Sequence, residues 1–162
     1  MSNQSNVGRS YNNILPISCN HTKLVSVSIT STSNMPSGSF TYNGYAGFGD
    51  GAISSYSDLG LVGNLTLNAN FSSGTYSGSI TNFYNTSGSL SGTANMSGTI
   101  SGNTLSGNTS GSLSQGGSTV TNSGTMIGVF ADNGSSNATA VLGTMTGTSG
   151  SASYSGLFVG KR

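Results

Sequence analysis

From Lys23 onward the chain alternates. Val25, Val27 and Ile29 are interleaved with Ser26, Ser28 and Thr30, a period of two that places the apolar set on one face of a strand. The alternation returns at Phe40 and Tyr42, at Leu65, Leu67, Ala69 and Phe71, and at Tyr76, Gly78 and Ile80. Later cases are Leu90, Gly92, Ala94 and Met96; Leu105, Gly107 and Thr109; and Met126, Gly128 and Phe130. Val141, Gly143 and Met145, then Tyr154, Gly156 and Phe158, complete the series. Ser-Gly, Asn-Gly and Gly-Gly pairs separate these runs, including Asp132-Asn133-Gly134 and Gln115-Gly116-Gly117, and such pairs suit tight antiparallel turns. The pattern predicts an all-β antiparallel meander of about nine strands.

Many glycines share the parity of the large apolar residues, so one face of each strand alternates between a bulky side chain and none. Interior positions of small closed barrels alternate in size to fit a tapering lumen, and Gly permits the coiling that closure demands. A sandwich fills those positions with Val, Ile and Leu instead. The prediction is therefore a small antiparallel up-and-down β-barrel of about eight or nine strands with a narrow, filled interior. A β-solenoid or flat ice-binding face is the alternative for Ser87 to Gly111. Stacked repeats need a fixed period, however, and here the Gly spacing drifts between 4, 5 and 6 residues.

Residues 1–22 differ from the rest. They are rich in Asn and Ser with a short apolar patch, and they read as an extended arm preceding a barrel domain at 23–162. The apolar residues of the arm, Tyr11, Ile14, Leu15 and Ile17, are candidate partner contacts. The aromatics Tyr42, Tyr45 and Phe48 cluster on the first long strand and are further candidates for a binding surface.

Charge narrows the field further. The 162 residues hold 4 Lys or Arg and 3 Asp, and no cation occurs between residues 24 and 160. A body without cations cannot neutralise a phosphate backbone, which excludes nucleic acid as a partner. No segment approaches the apolar length of a membrane-spanning helix. Gly, Ser, Thr and Asn supply 26, 34, 19 and 18 residues, so helix formers are scarce and a helical bundle is excluded.

The titratable pool is equally small. His21 lies two residues from Cys19, but the pair sits in the arm, which argues against a Cys/His nucleophile, and a metal at these two residues would need further ligands from the distant Asp residues. Gly47-Phe48-Gly49-Asp50-Gly51 lacks the Lys and the following helix of a phosphate-cradling loop, and reads as a turn. Asn-x-Ser/Thr matches at Asn64 and Asn137 are expected by chance at this composition. Cys19 alone forms no intrachain disulfide, and the residues before it lack the apolar stretch of a lipoprotein leader. No enzyme, cofactor or metal is expected.

The run from Leu65 to Ile80, with Asn70-Phe71 and Gly74 at its turn, resembles a strand-turn-strand of the eight-stranded barrel in transferrin-binding-protein-B-like bacterial lipoproteins. That family usually has Asp-Phe at the turn. Gly128 to Phe130 with Ala138 to Gly147 is similar to the family's penultimate hairpin, Tyr154 to Lys161 to its closing strand, and Tyr42 to Tyr45 to an opening strand, so the likeness covers roughly residues 38–162. The resemblance implies a barrel. Its ligand-binding members are lipid-anchored and carry a further handle domain and charged loops, features this sequence does not display.

Two non-enzymatic functions follow. The expected one is a structural or assembly protein, a virion-type decoration, spike or fibre component that docks through its arm into a homo-oligomer or larger particle. The alternative is a cell-surface protein-binding module of the transferrin-binding-protein-like family, located on the bacterial surface once a leader is removed.

Overall fold

In a computed structural model of the protein, residues 28–50, 53, 59–132 and 137–162 are described. The arm at 1–22, with Tyr11, Ile14, Leu15, Ile17, Cys19 and His21, lies outside them, as do Val25 and Val27 of the first predicted strand. A two-residue β1 (Ser28–Ile29) and a 3-10 turn (Thr32–Asn34) precede eight long strands. These are β2 (Ser39–Gly49), β3 (Leu61–Asn70), β4 (Thr75–Asn85), β5 (Gly88–Ser101), β6 (Thr104–Gln115), β7 (Ser118–Asp132), β8 (Ala140–Ser149) and β9 (Ala152–Lys161).

Each long strand pairs antiparallel with the next, and β9 returns to β2 from Asn43↔Lys161 to Gly49↔Ser155. The sheet thus closes into an eight-stranded up-and-down barrel, the predicted architecture, and closure removes the unpaired edges an open sheet would present. β1 is not a stave of the barrel. Pairing of β6 with β7 ends at Thr104↔Val129, and β1 takes up the same line at Ile29↔Ala131 and Ser28↔Asp132.

The glycine parity has a specific structural use. Gly98 and Gly107 face each other across β5 and β6, and a Cβ on either would collide with a facing carbonyl oxygen and with the Tyr76 ring or hydroxyl. Gly124 and Gly147 stand in the same relation to the Tyr154 hydroxyl, and Gly128 and Gly143 to the Phe158 ring. Three times, an inward aromatic from one strand lies over a pair of glycines on the next two strands, filling with one ring the space of two side chains.

One end of the barrel is densely packed. Here the Phe71 and Phe130 rings meet edge-on at 4.8 Å, Tyr42 lies 5.6 Å from Phe130, and the Arg162 guanidinium covers Phe40 at 3.9 Å. Thr30, fully buried, accepts a hydrogen bond from the Ala138 amide at 3.0 Å, and its own carbonyl accepts one from Asn103 Nδ2 at 2.8 Å. The β3–β4 turn closes the same end, with Asn70 Oδ1 accepting from the amides of Ser72 and Ser73 at 3.1 and 3.0 Å and Gly74 in the left-handed region at φ 65°.

The opposite end corrects the expectation of a filled interior. There the lumen opens into a cavity of about 460 Å³ between Phe48, Leu61, Phe83 and Tyr154. A bulge in β4 with Asn82 at φ 53° sends both Ile80 and Phe83 inward, and buried Gly63 opposite leaves them room.

Candidate functional site

Strand parity sorts the three barrel aromatics predicted as contacts. Tyr42 faces inward, is fully buried and donates its hydroxyl to the Ala138 carbonyl at 2.6 Å, so it presents nothing to a partner. Burial pushes its phenol up to about 12, with the Arg162 charge pulling weakly the other way. Phe48, also inward, is half-buried and meets Tyr154 edge-on at 5.5 Å at the mouth of the lumen. Tyr45 points outward and is 61% exposed.

Register places Tyr45 at the end of an apolar row on the outer wall. Tyr45 pairs with Val159, Val159 with Leu142, and Leu142 with Val129, which links β2, β9, β8 and β7 by directly opposite residues. Opposite residues on one face sit close enough for their side chains to touch. One step along the strands, Ile127 and Leu157 flank Thr144, and the Leu59 side chain lies over Gly47, which pairs with Leu157. Ile127 is 63% exposed and Leu142 38%.

The far wall differs. Ser77, Ser97 and Asn108 form one outward row across β4, β5 and β6, and Ser79, Asn95 and Ser110 form the next. Tyr84 stands exposed by itself on that wall at 47%, whereas Tyr45, Leu142 and Ile127 lie close together on the first, and a cluster of exposed apolar residues is the usual mark of an interaction site.

Tyr45 was legible as a candidate; its neighbours were not. The signal lay in consecutive apolar residues where strict alternation calls for a polar one: Met126-Ile127, Val141-Leu142 and Leu157-Phe158-Val159. β5 and β6 show no such doubling around their inward positions, which is why their outer wall is polar.

Among the described residues no group of three or more His, Cys, Asp or Glu could hold a metal ion. No helix among them is long and apolar enough to cross a membrane.

The sequence matches no protein-family model and no curated protein. The closed eight-stranded antiparallel barrel nonetheless has a counterpart in fold among solved structures. A solved structure of this kind is the vaccine antigen transferrin binding protein B of Haemophilus parasuis Hp5, in its Trp-176-Ala mutant form. The similarity covers 82% of this chain at 21% identity, with a TM-score of 0.54. The matched region spans only 28% of that protein's length, so the likeness is to one part of a larger molecule.

Proposed function

We propose that this chain is a non-enzymatic, protein-binding barrel module displayed on a bacterial cell surface, and that it meets its partner through the apolar row centred on Tyr45, Val159 and Leu142. The single observation that carries the reading is that row: apolar residues from four adjacent strands on one wall, exposed at Tyr45 and Leu142 and half-buried at Val159 and Val129, opposite a wall made mostly of Ser and Asn. Amphipathic Tyr at the end of an aliphatic strip supplies contact area at low entropic cost and a hydroxyl for the rim.

Similarity in fold to a bacterial transferrin binding protein supports a surface module over a virion component. Homo-oligomerisation, which a particle component requires, draws no support from that likeness and forms no part of the proposal. The body lacks cations from residue 24 to residue 160, so recognition rests on apolar contact and neutral hydrogen bonds, with little dependence on salt.

Antibody labelling of intact, unpermeabilised source cells tests the location. Labelling equal before and after lysis supports the proposal. Signal that appears only after lysis, or that sediments with particles, contradicts it.

A further inference from the structure

The lumen is furnished unequally along its length, and register shows why. Toward the packed end the inward layers carry Tyr42, Leu65, Leu67, Leu105, Met126, Phe130 and Phe158. Toward the open end one layer consists of Ala94, Gly111, Asn122 and Ser149, opposite one another on β5, β6, β7 and β8. Four small or polar residues at one level, on adjacent strands, leave one side of the lumen without side chains to fill it. The resulting cavity of about 460 Å³ falls in the size range of small-molecule sites. It is open to solvent at the mouth of the barrel, between Phe48, Asp50 and Leu61, which gives a ligand a way in.

Five polar residues break the apolar lining: Asp50, Thr109, Asn122, Ser149 and Tyr154. Asn122 lines the cavity and is 7% exposed, but its unpartnered Nδ2 is closed off from the open space. Thr109 and Tyr154 also line it, with their hydroxyl oxygens 3.0 Å apart. Each hydroxyl carries one proton, and their mutual bond uses only one of the two. The remaining hydroxyl proton can donate to an acceptor oxygen in the cavity.

Charge defines the ligand's class. Among the described residues no Lys, Arg or His lines the cavity, and the acidic group there is Asp50. An anion would enter without a counter-charge and past a carboxylate, which disfavours fatty acids and other carboxylates. We infer that the lumen is a binding site for one uncharged, largely apolar small molecule bearing an acceptor oxygen. Its apolar part packs among Phe48, Ile80, Phe83 and Met145, and its oxygen accepts from the Thr109 and Tyr154 hydroxyl pair. This inference is independent of the outer row and stands whether or not that row binds a protein.

The test is a fluorescence titration of the full chain with Nile red, an uncharged apolar dye bearing a carbonyl, with competition by undecan-2-one and by decanoate. The expected result is saturable one-to-one binding with blue-shifted emission, displaced by the ketone and not by the carboxylate. Ala94→Leu and Ser149→Leu, which fill the cavity from two different strands, should each weaken binding about tenfold or more, while Tyr45→Ser on the outer wall leaves it unchanged. Tyr154→Phe should weaken the ketone about tenfold. Absence of saturable binding overturns the inference, as does binding lost in Tyr45→Ser but kept in both filled variants. The unaltered chain supplies a check free of folding effects: the Met145 methyl resonance must shift on adding undecan-2-one, and an unmoved resonance at saturation overturns the site.

Discussion

The Tyr42 hydroxyl donates to the carbonyl of Ala138 at 2.6 Å, although 96 positions separate the two residues. Ala138 is held from both sides, since its amide donates to Thr30 Oγ1 at 3.0 Å, and it sits in the left-handed region at φ 50°. A non-glycine residue in that conformation persists where its surroundings determine it. Two buried side chains from separate segments do so here.

Tyr42 and Tyr76 therefore make opposite predictions under the same substitution. Tyr42→Phe removes the donor and leaves the Ala138 carbonyl buried without it, which should cost about 1–3 kcal/mol. Tyr76 is 4% exposed and its hydroxyl has no partner. Tyr76→Phe should be neutral or stabilising by about 1 kcal/mol, because it removes an unsatisfied polar atom while the ring stays over Gly98 and Gly107. Urea unfolding of the two variants beside the parent checks both signs.

The same two phenols set an alkaline limit on stability. Burial pushes each up to about 12 from an ordinary value of 10.0. Between those values the unfolded chain gives up these protons while the folded chain keeps them, so unfolding is favoured as pH rises. Stability should be level below pH 10.0 and fall from there to about pH 12, and Tyr42→Phe or Tyr76→Phe should each flatten the fall. Urea midpoints across that range decide it.

The facing glycines should tolerate nothing larger. Gly98→Ala and Gly143→Ala drive a methyl into a neighbouring carbonyl oxygen and into the Tyr76 or Phe158 ring, and each should cost about 1–3 kcal/mol. Gly60→Ala meets nothing within 4 Å and should change stability by less than about 1 kcal/mol. Thermal unfolding of the three variants separates the two classes, and equal losses would show that the glycines serve no packing role.

Parity made the eight staves legible. Each inward set predicted between Phe40 and Phe158 falls on a strand, except that Phe71 lies in the β3–β4 turn and packs on Phe130 from there. Parity also separates outward Tyr45 from inward Tyr42 and Phe48, although sequence clustering had grouped the three. Lateral relationships were hidden. That Tyr45, Val159, Leu142 and Val129 form one row depends on the β2–β9 closure, a pairing of the first and last staves that no local pattern specifies. The cavity was hidden for the same reason: Ala94, Gly111, Asn122 and Ser149 lie on four strands, and only their register puts them in one layer.

Photo-crosslinking on intact source cells decides whether one wall of the barrel is a protein-binding face. A benzophenone amino acid is placed at Tyr45 in one variant and at Asn95, on the polar wall, in another. The expected result is a discrete adduct with a different protein from position 45 and none from position 95, and loss of that adduct when Ile127→Ser and Leu142→Ser are added. Equal adducts from both positions, no adduct from position 45, or an adduct only with another copy of this chain would contradict it.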